Sequence, residues 1–197
     1  MKKIFLLVLV GSALFLSAEQ VSETQTKSDN TQSKQDKERP KIIALKSGES
    51  DELTYDAGTV KFLASSEDTH GAWSLVELTE KPGYKTRLHR HIYTDESYYV
   101  LEGVLTAKIA DKTYELPAGS YILIPHGTPH AQGNLGNVPV KVLLTMTPGG
   151  FEGSFKDRAE LIKTIKPTDP NFRKMREEMM TTRKYDREYL GDWNPQK

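Results

Sequence analysis

A series of short apolar segments separated by turn residues constrains the fold of this chain more than any other feature. The series runs from Ile42 to about Thr147, and its members are rich in the β-branched and aromatic residues that favour strands. The strand candidates are Val60–Ala64, Trp73–Leu78, Ser97–Leu101, Leu105–Ile109, Lys112–Leu116, Tyr121–Ile124 and Val140–Met146. Short strands at such regular spacing favour an antiparallel sandwich or barrel over alternating βα units.

The pattern changes beyond residue 150. Phe155–Ile165 and Asn171–Lys184 lack strand alternation and contain good helix formers, with prolines between the two segments. We therefore interpret residues 41–150 as a β-domain and residues 151–197 as a helical extension. The extension is expected to support one end of the β-domain, and a lid is the alternative.

The N-terminus predicts export. A positively charged start precedes an apolar run from Ile4 to Phe15, and Ala18 offers a small residue at a cleavage point. The run is short for a transmembrane span, although an uncleaved anchor is the alternative. Residues 1–18 are thus predicted to be a signal peptide and the polar residues 19–40 a disordered linker. The mature protein is expected to be secreted or periplasmic, with no membrane association after cleavage.

Charge and cysteine content narrow the possible partners and sites. The chain has 27 basic and 27 acidic residues, so no general affinity for nucleic acid is expected. It contains no cysteine, which excludes disulfides and thiolate metal sites. Histidine and carboxylate side chains remain as the metal ligands available.

A group of histidines and one glutamate has the spacing of a metal site built on strands. In an extended strand His89 and His91 project to the same face, and Arg90 projects to the other. Glu96 follows a short turn-like stretch, and His130 lies about one hairpin downstream. Three imidazoles and a carboxylate are a donor set that leaves coordination positions open on a metal ion.

Asp95, His126 and His70 are further residues of the types that bind metals. Asp95 competes with Glu96, because either parity of the predicted strand Ser97–Leu101 is compatible with the pattern. His126 lies between a proline and a glycine and is expected at a turn on the rim of the site. His70 lies in a polar turn and is expected to be an exposed loop histidine.

The residues around these candidates form two blocks. The first block contains Gly83, His89, His91, Glu96 and Gly103, and the second contains Gly119, Pro125, Gly127, His130 and Asn134. The spacing resembles the two-part motif of the cupin superfamily at all of its specified positions. This resemblance covers about Ile42 to Thr147. The stretch Pro148–Glu152 also resembles bacterial cupins described as quercetin-dioxygenase-like.

The cupin resemblance implies a mainly β fold, an antiparallel β-barrel (double-stranded β-helix or jelly roll), with one metal near a mouth of the barrel. It places the ligands on His89, His91, Glu96 and His130, and so favours Glu96 over Asp95. Such a set accepts one divalent transition metal, namely Fe, Mn, Ni, Co or Zn. A purely structural metal is the alternative, although structural sites are usually closed.

The wall of the site should come from inward-facing strand positions. Successive side chains of a strand face opposite sides of the sheet. If the lysines of these strands face solvent, the following residues therefore face inward: Leu105, Ala107, Ile109, Val142, Leu144 and Met146. This apolar wall suits a planar or aromatic small molecule. Arg87 shares the parity of His89 and could orient an anionic group, and Tyr98 shares that of Glu96 and could donate a hydrogen bond. Ordinary packing or a rim salt bridge is the alternative for both.

These features lead to a hypothesis of an exported, metal-dependent, dioxygenase-like oxidoreductase that acts on a small oxygen-chelating substrate, with Glu96 as a possible base. A non-catalytic metal or small-molecule binding or sensing protein is the first alternative, and a metal-dependent isomerase or decarboxylase is the second. The resemblance also makes a homodimer possible, paired through a sheet face. Trp73 and Leu75 share an outward parity and could contribute to such a contact.

Overall fold

A computed structural model describes residues 42–181 and 185–194 of the chain. The predicted signal peptide (1–18) and linker (19–40) lie outside the described residues. The strands are β1 (Glu52–Tyr55), β2 (Gly58–Ala64), β3 (Ser74–Glu80), β4 (Leu88–His91), β5 (Asp95–Glu102), β6 (Val104–Ile109), β7 (Lys112–Pro117), β8 (Tyr121–Ile124), β9 (His130–Gly133), β10 (Val140–Thr147) and β11 (Arg187–Gly191). The helices are α1 (Gly153–Thr164) and α2 (Phe172–Met180). Within this part of the chain, neither helix has the length and apolar character needed to cross a membrane.

The strands form two antiparallel sheets. One sheet has the order β1-β2-β3-β10-β5-β8 and the other has the order β11-β4-β9-β6-β7. Strands that are distant in sequence are neighbours in space, as β3 and β10 are, so the chain crosses repeatedly between the sheets. This mainly β, antiparallel, barrel-like architecture confirms the predicted fold class.

The core lies between the two sheets and follows the period-two pattern of the sequence. Burial alternates along β10, where Val142 lies opposite Leu78 of β3 and Val100 of β5, and all three are buried. Burying a side chain of this size contributes about 1.5–3 kcal/mol relative to exposure. The predicted inward positions of β6 and β10 are confirmed: all are buried apart from Ile109, which is partly buried and packs against the core.

Local backbone geometry explains the glycines at the turns of the two sequence blocks. The glycines at turns, Gly83, Gly103, Gly119 and Gly127, all have φ between 75° and 87°, which other residues adopt only with strain. At Gly103 an added Cβ would also lie 2.8 Å from the Pro139 carbonyl oxygen.

Asn134 holds the loop after β9 together. Its side-chain amide donates hydrogen bonds to the carbonyls of Glu80 (3.0 Å) and Val138 (2.7 Å). Its Oδ1 accepts a hydrogen bond from the Gly136 backbone N–H at 3.0 Å. These contacts account for an asparagine at this position without any role in the site itself.

The C-terminal extension contains both predicted helices and a strand that the sequence pattern did not reveal. The helices α1 and α2 are fixed to the β-domain by Asp56, whose carboxylate binds Arg158 of α1 at 2.7 Å and Arg176 of α2 at 2.8 Å. After α2, β11 joins the edge of the second sheet by pairing with β4. The extension therefore meets the strand that carries the histidine pair.

The outer face of the first sheet has a shallow apolar groove near the start of the described chain. Ile43, Leu45 and Leu63 line it together with Trp73 and Leu75. The predicted outward orientation of Trp73 is confirmed by its exposed fraction of 41%.

Candidate metal centre

Three strands bring the candidate ligands to one place. On β4, His89 and His91 face the interior and Arg90 faces outward, where its guanidinium binds Glu188 at 2.7 Å. β9 pairs with β4 so that His130 lies directly opposite His89. Glu96 reaches the same spot from β5, and its carboxylate is buried.

The side chains of these four residues form a compact cluster. Their nearest donor atoms all lie within 4.8 Å of one another. Glu96 Oε1 lies 3.3 Å from His91 Nε2, and Glu96 Oε2 lies 3.1 Å from His130 Nε2. Bonds to a shared ion are about 2.0–2.2 Å long, so small side-chain adjustments suffice for one ion to reach all four donors.

Backbone carbonyls orient two of the imidazole rings. His89 Nδ1 lies 2.7 Å from the Arg87 carbonyl oxygen, and His130 Nδ1 lies 2.8 Å from that of Thr128. A carbonyl only accepts, so each Nδ1 carries the proton and donates it. The Nε2 atoms are left with their lone pairs directed into the cluster. Proteins commonly orient metal-binding histidines in this way.

Several polar atoms of the cluster have no other use in the fold. Among the described residues, His89 Nε2, His91 Nε2 and Glu96 Oε1 are buried and have no hydrogen-bond partner. Leaving a buried polar group unsatisfied costs about 1–3 kcal/mol. A metal ion at the centre of the cluster would satisfy all three atoms, and the donor types fit a divalent transition metal.

The protonation states match those that metal binding requires. Burial, followed by the positive charge of Arg187, holds the pKa of His89 well below its usual range. Burial alone would raise the pKa of Glu96, but the neighbouring imidazoles of His91 and His130 bring it well below its usual range. His89 is therefore a neutral imidazole and Glu96 a carboxylate, and both states bind metals.

Tyr98 lies beside Glu96 on the same face of β5. Its hydroxyl donates a hydrogen bond to Glu96 Oε2 at 3.2 Å, as the shared parity predicted. Burial and then the negative charge of Glu96 raise the pKa of Tyr98 well above its usual range, so the phenol stays protonated. Tyr98 is thus placed to hold one oxygen of the carboxylate in position.

The competing residues lie elsewhere. Asp95 points away from the cluster, and its Oδ1 accepts hydrogen bonds of 2.7 Å from both the backbone N–H and the ring Nδ1 of His126. His126 is exposed at the turn after β8, and His70 is exposed in its own turn, as expected for both. The structure therefore settles the parity of β5 with Glu96 inward.

Arg87 takes the salt-bridge alternative instead of facing the cluster. Its guanidinium binds Glu177 of α2 and Asp192, each at 2.8 Å, and lies 5.2 Å from the centre of the Tyr189 ring. Arg87 precedes β4 and is not part of its ladder, so the alternation of the strand does not fix the direction of its side chain. Its contribution to the cluster comes through its carbonyl, which orients His89.

The cluster is covered from solvent, unlike the expected position near an open barrel mouth. The four side chains are only 1–2% exposed. Phe151 lies edge-on to His91 with ring centroids 4.7 Å apart, and β11 runs alongside β4. Asp186 anchors the start of β11 by accepting hydrogen bonds from the backbone N–H groups of Tyr93 (2.6 Å) and Thr94 (3.0 Å).

No sequence pattern indicates the residues of β11 that approach the cluster. Arg187 lies opposite His91 in the β4–β11 ladder, and Tyr189 lies opposite His89. The alternating pattern of Arg187, Glu188 and Tyr189 is too short to predict a strand. The strand with which this segment pairs, β4, is distant in sequence. Phe151 did lie in a stretch already noted for its resemblance to cupins.

Comparisons with known proteins agree with this geometry. Residues 76–146 match the family model described as a cupin domain. An uncharacterized protein of Methanocaldococcus jannaschii is 41% identical over 75 residues, which are 38% of this chain and 60% of that protein. Quercetin 2,3-dioxygenase of Bacillus subtilis is 29% identical over 112 residues, which are 57% of this chain and 33% of that enzyme. The chain thus spans less than two thirds of the length of both relatives.

Similarity to solved structures was also found. A predicted oxalate decarboxylase from Thermotoga maritima aligns with a TM-score of 0.46 at 24% identity, covering 54% of this chain and 99% of that one.

Proposed function

We propose that this chain, which belongs to the cupin superfamily, binds one divalent transition metal through His89, His91, Glu96 and His130 and uses it in a dioxygenase-like oxidation of a small oxygen-chelating substrate. The observation that carries the proposal is the buried donor set, whose atoms lack other partners among the described residues. The similarity to a quercetin dioxygenase over 112 residues supports the oxidative chemistry.

The metal, when bound, would supply Lewis acidity and two further coordination positions for oxygen ligands. The protein residues would divide the remaining work. Glu96 Oε2 is held by the Tyr98 hydroxyl, whereas Oε1, on leaving the metal, would accept a proton from an enolic or hydroxyl group of the substrate. The surrounding apolar wall and Phe151 exclude water from the reacting groups.

Oxygen consumption tests this function directly. The protein would be loaded separately with iron, manganese, nickel, cobalt and zinc, and assayed with flavonols and small diketones in an oxygen electrode. We expect uptake with at least one redox-active metal and its loss in Glu96→Gln. The exposed His126→Ala serves as the matched control and should retain uptake. Absence of uptake with every metal and substrate would contradict the proposal.

A non-catalytic binding or sensing role is the second candidate, and the burial of the cluster favours it. Four donors that are 1–2% exposed bind a metal tightly but admit a substrate only if the cover moves. Tight metal binding without turnover would support this role. Turnover without oxygen would instead indicate an isomerase or decarboxylase.

We also propose that the protein acts outside the cytoplasm, on the strength of the positively charged start and apolar run before Ala18. Mass spectrometry of the protein recovered from its native cells tests this. We expect a mature N-terminus near residue 19 in the secreted or periplasmic fraction. An intact N-terminus on cytoplasmic protein would contradict export.

A further inference from the structure

Arg187 of β11 lies opposite a candidate metal ligand in the sheet ladder, and nothing in the proposed function uses it. In an antiparallel pair, directly opposite residues project to the same face of the sheet. Arg187 lies opposite His91 and Tyr189 lies opposite His89, so both share the face of the metal ligands. Glu188 lies opposite Arg90 on the outer face, where the two side chains form an ion pair.

The surroundings of Arg187 place its charge against the cluster. Its guanidinium carbon lies 4.8 Å from the centre of the Phe151 ring, and that ring in turn contacts His91. The ladder pairing and the contact with Phe151 therefore agree that Arg187 lies on the cluster side of the sheet.

Arg187 differs from the other described arginines in its partners. Each of the others forms an ion pair with a carboxylate: Arg87, Arg90, Arg158, Arg173 and Arg176. Among the described residues Arg187 has no carboxylate partner, and its Nε is buried without a hydrogen-bond acceptor. A guanidinium presents five donors in a fixed fork that matches a carboxylate, so this one has unused binding capacity.

The net charge of the metal centre indicates which class of ligand would bind the Arg187 guanidinium. A divalent metal with one carboxylate ligand and three neutral imidazoles carries a net positive charge, and Arg187 adds to it. An anion that coordinates the metal would neutralise both charges in a low-dielectric site, where such interactions are strong. A neutral ligand of the same size would leave the guanidinium unpaired.

We propose that Arg187 is a substrate-binding residue that selects small carboxylate-bearing or enolate anions at the metal centre. This inference rests on the proposed metal site and specifies its substrate class. The C-terminal extension then has a functional reason to pair with β4, because β11 delivers the guanidinium that recognises the anion. Arg87, which shares the parity of His89 in the sequence, is not available for this role because its guanidinium is bound to Glu177 and Asp192.

Anion binding to the cobalt-loaded protein tests the proposal. Cobalt(II) has a visible spectrum that changes with its ligands, so titration with oxalate, an anion, and with imidazole, a neutral ligand, gives both affinities without an enzymatic assay. We expect Arg187→Gln to weaken oxalate binding by about tenfold or more and to leave imidazole binding unchanged. The matched control is Arg90→Gln, which removes the same charge from the outer face of the ladder and should change neither affinity.

The outcomes separate this inference from the metal site itself. If the wild-type protein takes up no cobalt, the proposed metal site fails and the inference fails with it. If cobalt binds and oxalate binds equally well to wild type and Arg187→Gln, only the role of Arg187 is overturned. Should Arg187→Gln not fold, Arg187→Met provides the test. It removes the charge and keeps an unbranched stem of similar length, and an oxalate affinity equal to that of the wild type would overturn the proposal.

Discussion

Replacing Glu80 with glutamine should stabilise the metal-free protein at alkaline pH. Glu80 ends β3 inside the barrel and is 1% exposed. Its Oε1 accepts a hydrogen bond from Gln132 Nε2 at 3.0 Å, whereas its Oε2 is buried with no partner among the described residues. The pKa of Glu80 is raised from 4.5 to about 7, and burial is the main cause. The hydrogen bond from Gln132 and the positive charge of Arg158 lower the pKa but only partly oppose the effect of burial.

The sign and size of the effect follow from this raised pKa. Below pH 4.5 Glu80 is protonated in both the folded and the unfolded state and contributes no pH dependence. Between pH 4.5 and about 7 the folded state holds a proton that the unfolded state has released, so stability falls as the pH rises. The window spans about 2.5 pH units, which corresponds to about 3.5 kcal/mol at about 1.4 kcal/mol per unit. Well above pH 7 the loss is complete and constant.

Urea denaturation at a series of pH values from 4 to 9 measures this loss. Chelator-treated protein should be used, because metal retention also depends on pH. The difference in unfolding free energy between wild type and Glu80→Gln cancels the other titrations. We expect it to shift by about 3.5 kcal/mol in favour of the variant across the window. Glu77→Gln, on the outer face of the same strand, controls for loss of a surface glutamate. A wild-type-minus-Glu80→Gln difference that does not vary with pH would refute the reasoning.

Other positions give further predictions. Asp56→Asn removes the charge that pairs with arginines of both helices and should lower the unfolding free energy by about 3 kcal/mol or more in urea, whereas a loss under 1 kcal/mol would contradict this. Gly58→Ala would place a Cβ 1.9 Å from the Thr79 carbonyl oxygen, so we expect the unfolding free energy to fall by about 3 kcal/mol or more. A thermal midpoint equal to that of wild type would contradict this close approach of the two strands. Phe151→Ala uncovers His91 and should speed metal removal by a chelator, and an unchanged rate would show that Phe151 does not cover the cluster.

Much of the β-domain could be predicted because its pattern is local. Alternation along β10 and β6 marks the buried face, and each turn glycine needs a conformation set by its nearest neighbours. Alternation alone does not decide whether Glu96 or Asp95 faces inward, because this depends on the residue at which β5 begins. Only the two-block resemblance favoured Glu96, and the structure agrees with that choice.

The cover of the cluster could not be predicted because it depends on contacts between distant residues. β11 is stabilised by pairing with β4 and by the bonds that Asp186 accepts from the loop before β5. Its own sequence carries a weak strand signal, and short segments take their structure from such partners. For the same reason the sequence pattern indicates Arg87, and not Arg187, as the arginine beside the cluster.

Metal analysis of protein purified from its native cells tests the central claim most directly. We expect about one equivalent of a divalent transition metal per chain in the wild type. His89→Ala and Glu96→Ala should lose it, whereas the exposed His126→Ala and the outward Asp95→Ala should keep it. Full metal retention in both His89→Ala and Glu96→Ala would contradict the proposed centre.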